Sequence, residues 1–421
     1  RPTYQRKMLN VFYDSYRILT SVYSDGAYLK RAMADIFIEE KNRPHTTKIC
    51  YGVLDKDIEL EYSINYLCDK RPKQAIRTIL KIAFYSIKYL ETAPYAVVDT
   101  AVELVKKLGK GGTSGFVNAI LRKYIKTEIP LPTDETERLS VKYSLPIFAV
   151  KRLLRDYGKE EAEALFETQS ERTAVRFNVN SDGEKYLEDR RWNFEKTPFS
   201  NTFFVKGFKR DEDFDKGVYT VQSIGSVAIC DLIVGGEKLF DACAAPGGKS
   251  VNLADKFASV VSQELHPHRV ELIKEYAERM GKNNVFAVSG DSSVFNPEYE
   301  GKFDAVLCDV PCSGYGVTGD NPDIKLRRTD DDVKSLVNTQ RKILETCSKY
   351  VKDGGSLYYS TCSIFKAENE ENCIDFLKKH SEFEEEKTNS PLCHKQMKVG
   401  SSFFPNISYG AGFYICKFKK Q

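Results

Sequence analysis

Residues 239–250, LFDACAAPGGKS, constrain this chain more than any other stretch. A short apolar run reaches an acid at Asp241, breaks into small residues, a proline and two glycines, and resumes as a helix at Ser250. Small residues at a strand end let a ligand approach the backbone, and the free N–H groups of the following helix point at it. An open α/β sheet makes a cofactor pocket in this way.

The surrounding pattern agrees. From Tyr219 onward apolar runs alternate with helical segments. Strands are expected at 238–242, 260–264, 285–288, 303–309, 356–361 and 412–418, with helices at 267–280 and 332–350 between them. That order predicts a mostly parallel, doubly wound sheet.

What the pocket holds follows by elimination. GGKS resembles the end of a phosphate-binding loop, but the position of its first glycine is taken by Cys243. The G-x-G-x-x-G fingerprint of dinucleotide binding is absent. Successive strands instead end in Asp241, Glu264, Asp291 and Asp309. Glu264 is placed to take two ribose hydroxyls and Asp291 an adenine amino group. Four acids in order suit S-adenosylmethionine.

Two cysteines complete the constellation. Cys312, in DVPCSG, and Cys362, in YYSTCS, each lie in a polar loop just beyond a strand, so both thiols should open into the cofactor cleft. Each is expected to precede a helix whose N-terminus favours thiolate. Cys230, Cys308 and Cys416 read as buried packing residues. A thiolate, a carboxylate and a methyl donor suggest methylation of a pyrimidine at C5. Thiolate attack at C6 turns the unreactive ring into an enamine, Asp309 holds the N3/N4 edge, and the base must first be unstacked. The residues do not say which thiol attacks. Five histidines with no third ligand beside His266 and His268, and no Cys-x-x-Cys pair, predict no metal.

The remaining chain reads as two further parts. Residues 1–130 form six or seven helices: Ile76, Ile79, Leu80, Ala83, Phe84 and Ile87 make one apolar face, with Arg77, Lys81 and Lys88 off it. A second helix runs through Val98, Ala101, Val102 and Val105 to a stop at Gly109, and Thr113 or Ser114 caps the next. Lys and Arg number 22 here against 14 acids, while residues 131–421 hold 41 against 46. A basic module on a near-neutral remainder suits nucleic-acid binding. Residues 131–215 read as a small α+β connecting domain and 216–421 as the α/β domain. No apolar run approaches the roughly 18 residues of a membrane span. With no signal peptide and eleven cysteines lacking a disulfide spacing, a cytoplasmic protein without membrane contact is expected.

Several motifs carry a resemblance. APYAVVDTAVELVKKLGKGG and GFVNAILRK, residues 93–112 and 115–123, resemble the RNA-binding NusB-like domain. That implies RNA contacts from Arg122 and Lys123. DACAAPGGKS, ELHPHR, VLCDVPCSG and STCSIFKAENEENC resemble the motifs of the Nop/Sun family of RNA cytosine-C5 methyltransferases. Together with the NusB-like segment, the chain is similar over nearly its full length to the Sun/Fmu type that acts on bacterial 16S ribosomal RNA. The resemblance implies an all-α NusB-like bundle, an α+β connecting domain and a Rossmann-like class I methyltransferase domain. It implies cofactor contacts from Cys243, Ala244, Ala245, Pro246, Gly247, Gly248, Lys249, Glu264, Asp291 and Asp309. It makes Cys362 the nucleophile and Cys312 the residue that assists release. It further implies a monomer acting on cytosine 967 of 16S RNA, free or in a small-subunit assembly intermediate. A tRNA substrate, or a non-catalytic RNA-binding protein with a degenerate pocket, are the competing readings; intact Cys312, Cys362 and Asp309 argue against the second. The chain departs from the family pattern at Glu264, where aspartate is common. It departs again in GVTGDNPDIK, residues 316–325, which lacks the arginines that precede Pro-Asp-Ile-Lys, and in GAGFY, residues 410–414, which lacks an acid before its glycine.

Overall fold

The computed structural model describes residues 2–167 and 169–421, with side chains from Gln5. The chain divides into two compact units. The first runs to Glu167 and takes in Asn321–Arg327; the second comprises the rest. Of residues 131–215, the helices up to Phe166 fall in the first unit, and the strands with two short helices, Gly183–Asp189 and Glu212–Asp215, fall in the second.

The first unit is all helical: α1 (Pro2–Ser24), α2 (Leu29–Asp35), α3 (Arg43–Asp55), α4 (Asp57–Leu67), α5 (Gln74–Lys88), α6 (Pro94–Lys107), α7 (Ser114–Lys126), α8 (Glu135–Tyr143) and α9 (Ile147–Phe166). α5 packs against α1, α3, α4, α6 and α7. Its apolar face is buried as expected, each Ile or Leu contributing about 2 kcal/mol. Lys81 is buried too, contrary to the helical-face reading. Lys81 faces α4 rather than water, where it is matched by Asp57 at 2.7 Å and Glu61 at 2.9 Å. Thr113 and Ser114 do not cap α7. Their hydroxyls donate back to the Lys110 and Gly111 carbonyls across a 3-10 turn.

The segment Asn321–Arg327 is packed as part of this unit. Lys325 is buried, donating to the Asp55 carboxylate at 2.8 Å and the Asp55 carbonyl at 2.7 Å. Asp323 accepts the N–H of Leu29 at 2.9 Å, capping α2 from outside its own chain segment. The lysine of Pro-Asp-Ile-Lys is thus spent on folding.

The second unit opens with an antiparallel sheet of β1 (Ala174–Phe177), β2 (Phe194–Lys196), β3 (Thr202–Val205) and β4 (Tyr219–Val221), in the order β2-β3-β1-β4. A larger sheet follows: β5 (Gly236–Asp241), β6 (Phe257–Glu264), β7 (Val285–Ser289), β8 (Phe303–Asp309), β9 (Val351–Thr361), β10 (Phe383–Glu386), β11 (Lys395–Gln396), β12 (Ser401–Phe403) and β13 (Phe413–Lys420). Its path is β11-β12-β13-β9-β8-β5-β6-β7, with β10 also on β13. β7, β6, β5, β8 and β9 are parallel; β13 and the strands beyond it are antiparallel. The fold is a NusB-like helical domain joined to a Rossmann-like domain with a mixed sheet. Strand order reverses between β5 and β8, and ligands of such sheets bind beyond the carboxyl ends at that point.

Candidate active site

The loop after β5 is held from three sides. Buried Asp241 accepts the Ser250 hydroxyl at 2.7 Å, and Ser250 in turn accepts the Ser262 hydroxyl of β6 at 2.6 Å. The Ala242 N–H donates to the Leu307 carbonyl of β8, and the Ala244 N–H to the Gln263 carbonyl of β6. Gly247 turns the chain at φ 107°, and a Cβ there would lie 3.2 Å from the Ile273 backbone, so only glycine fits. The helix Gly248–Leu253 starts immediately after.

Two chambers open at this edge. One, about 570 Å³, includes Glu264, Leu265, Asp291 and Pro311 in its wall. The other, about 340 Å³, includes Gln222, Ser226, Lys249, Tyr276, Thr361 and Gly412. Cys243, Ala245, Asp309, Val310 and Cys362 line both. The run expected to touch cofactor as a block is therefore divided. Cys243 and Ala245 face both chambers; Ala244, Pro246, Gly248 and Lys249 line only the smaller; Gly247 lines neither.

The larger chamber fits a nucleoside. Glu264 is buried, its carboxylate accepting the His266 N–H at 3.2 Å and Arg269 at 3.3 Å. Asp291 is exposed, its carboxylate accepting the Ser293 N–H at 2.9 Å. Leu265 offers an apolar surface, 54 % exposed, against which a flat ring can rest. Two carboxylates that can accept from hydroxyl and amino groups, with an apolar wall between them in sequence, suit the nucleoside of S-adenosylmethionine.

The shared wall includes Asp309 and Cys362, with Cys312 beside it. Asp309 accepts Lys249 Nζ at 2.6 Å on one oxygen and the Ser360 hydroxyl at 2.7 Å on the other. Burial opposes charge on Lys249, but Asp309 outweighs it and holds the ammonium above the ordinary lysine range. The Cys312 and Cys362 sulfurs stand 2.9 Å apart, and the Cys362 N–H donates to Cys312 Sγ at 3.3 Å. The expected helix N-termini are missing. A loop follows Cys312, and only the 3-10 turn Lys366–Glu368 follows Cys362. Correspondingly Cys312 is no favoured thiolate: its hydrogen bond to Cys362, then burial, pushes the thiol well above its ordinary range. Burial does the same to Cys243. Cys230, Cys308 and Cys416 are buried, as their strand and helix positions imply.

Sequence reasoning overlooks Ser360, which orients Asp309, and Gln222. Gln222 donates to the Gly248 carbonyl at 3.3 Å and accepts from buried Arg176 at 2.7 Å, latching the turn before Lys249. In the first unit, Arg122 is exposed and lines a groove of about 740 Å³ with Arg6 and Lys106, whereas Lys123 donates to the Leu67 carbonyl at the end of α4. Among the described residues no cluster of His, Cys, Asp or Glu could hold a metal ion.

Comparison with known proteins bears on the whole chain. Residues 233–419 match the model of the 16S rRNA methyltransferase RsmB/F family, and residues 15–126 that of the NusB family. A probable ribosomal RNA small subunit methyltransferase B of Bacillus subtilis is 31% identical over 93% of this chain and 94% of its own length. Ribosomal RNA small subunit methyltransferase B of Photorhabdus laumondii is 28% identical over 91% and 92%. The crystal structure of PH0851 shares the fold with a TM-score of 0.82 at 24% identity, covering 98% of both chains. NSun6 from Pyrococcus horikoshii shares it with a TM-score of 0.57 at 19% identity, over 65% of this chain and 98% of its own. The cofactor of such a methyltransferase is S-adenosylmethionine. Fold, cofactor chamber and full-length similarity agree: the chain belongs to the RsmB/F family of 16S rRNA methyltransferases.

Proposed function

We propose that this protein methylates C5 of a cytosine in 16S ribosomal RNA through a covalent bond between Cys362 and C6. The observation that carries the reading is the common wall. One chamber has the polar groups for a nucleoside cofactor, the other has room for a flipped base, and Asp309 and Cys362 face both. The relatives named for the small ribosomal subunit support the substrate, with cytosine 967 as the expected position.

The chain's own groups account for the reaction. Asp309, held by Lys249 and Ser360, accepts from the N4 amino group of the base, and the Lys249 ammonium beside it stabilises the negative charge that develops at N3. The Cys362 thiolate attacks C6, and the displaced ring electrons make C5 nucleophilic. S-adenosylmethionine supplies the electrophilic methyl group. Loss of the C5 proton to a base then returns the C6–S electrons to Cys362. Cys312, 2.9 Å from that sulfur, can donate a hydrogen bond to the departing thiolate.

The test uses labelled S-adenosylmethionine with 16S RNA, small-subunit assembly intermediates and tRNA, followed by bisulfite mapping. Methylation of 16S RNA at a cytosine is expected from the parent protein and none from Cys362→Ala. Cys312→Ala should accumulate a protein–RNA adduct on a denaturing gel. Adducts in Cys362→Ala and clean inactivity in Cys312→Ala would exchange the two roles; label in tRNA alone would replace the substrate.

A further inference from the structure

One buried carboxylate ties together the two loops that carry the thiols. Glu368, at the end of the turn Lys366–Glu368, is fully buried. Its Oε1 accepts the Ser313 N–H at 2.8 Å and Gln340 Nε2 at 3.1 Å. Its Oε2 accepts the Ser313 hydroxyl at 2.7 Å and the Ser363 hydroxyl. Ser313 follows Cys312, and Ser363 follows Cys362. Gln340 also donates to the Pro311 carbonyl at 2.8 Å, the residue before Cys312. Both flanks of one cysteine and one flank of the other thus depend on a single side chain.

Four converging donors need an acceptor-only group, which glutamate provides and glutamine does not. All four donors are neutral, and no ion pair meets Glu368 among the described residues. A carboxylate buried without a cation is costly, so its charge calls for a reason beyond tying loops. The arrangement is lopsided. The Glu368 carboxylate meets the peptide N–H that directly follows Cys312, and meets the Cys362 loop through the Ser363 hydroxyl. Either sulfur of this pair, 2.9 Å apart, can be the hydrogen-bond donor, and negative charge on one side biases which one is. Glu368 acts on Cys312 in the same direction as Cys362 and burial, toward the protonated thiol.

We propose that Glu368 is a positioning residue for methyl transfer: it clamps both thiol loops and makes Cys312 the hydrogen-bond donor and Cys362 the acceptor of the pair. This rests on Cys362 being the nucleophile. It supplies a physical reason why two adjacent cysteines, equivalent in sequence context, take different parts.

The test is competitive alkylation of the full-length protein by iodoacetamide, with both cysteines read by peptide mass spectrometry, beside single-turnover methylation. In the parent, Cys362 should react first. Glu368→Gln should narrow that preference by about tenfold, the change in thiolate fraction for one pKa unit. It should also slow methyl transfer without changing the affinity for RNA. Ser363→Ala keeps the carboxylate and removes one clasp, so its preference for Cys362 should persist; loss there would mean that loop geometry alone makes the thiols unequal and would overturn the inference. An unchanged ratio in Glu368→Gln overturns it as well, while leaving Cys362 as the nucleophile. A parent in which Cys312 reacts first overturns the nucleophile assignment itself, and the inference with it.

Discussion

Asp241 closes β5 with one oxygen accepting the Ser250 hydroxyl and the other, Oδ1, buried without a hydrogen-bond partner. Burial pushes its carboxyl up to about 6, the Ser250 hydroxyl pulling the other way. An unfolded aspartate titrates near pH 4, so between about pH 4 and 6 the folded chain keeps a proton that the unfolded chain has released. Stability therefore falls as pH rises through that window and levels off above it, by about 3 kcal/mol for a shift of about two units. Asp241→Asn keeps the shape and needs no proton. Its unfolding midpoint should gain on the parent from pH 4 to 6 and then run parallel; curves already parallel from pH 4 would sink the assignment. The residues easiest to read in the sequence are those set at a strand end by a preceding apolar run: Asp241, Glu264, Asp309 and the cysteine pair. Their partners are harder to read. Lys249 and Ser360 reach Asp309 across 60 and 51 positions of sequence. Glu368 is one acid among several in KAENEEN, and nothing local separates it from exposed Glu371.

Elements follow the same division. The central parallel strand β8 is legible because a strand buried on both faces is a continuous apolar run. β10, β11 and β12 escape notice because they are short, polar and defined by pairing with β13 or with each other. The segment Asn321–Arg327 is the sharper case, since its lysine suits a phosphate and instead meets Asp55. Burial lowers the Lys325 pKa, and Asp55 opposes that loss of charge. Removing one partner of such a pair costs on the order of 3 kcal/mol. Asp55→Ala should therefore speed hydrogen exchange across 321–327 and at the Leu29 amide, which Asp323 holds. Lys325→Met should leave the salt dependence of RNA binding unchanged. A shallower salt slope in Lys325→Met would instead place this lysine at the RNA interface.

Over the whole molecule, charge is unevenly divided. The basic excess lies in residues 1–130, while residues 131–421 carry more acids than bases, so RNA affinity and cofactor affinity should respond differently to salt. Neutralising phosphates releases counterions, and affinity then falls with salt at a slope of about 0.7 per contact on single-stranded RNA. Arg6, Lys106 and Arg122 line one groove of the helical unit. Lys106 is partly engaged by Glu103 at 2.8 Å and Arg122 by Asn118 at 3.1 Å, both exposed contacts of the kind that contribute little to stability. Replacing all three by alanine should leave the fold and S-adenosylmethionine binding intact and lower the salt slope for 16S RNA by about two. Filter binding from low to physiological salt, with cofactor titration on the same preparations, measures both. An unchanged slope would move the RNA surface away from this groove, and parallel losses of RNA and cofactor binding would show that the two tasks are not divided by charge.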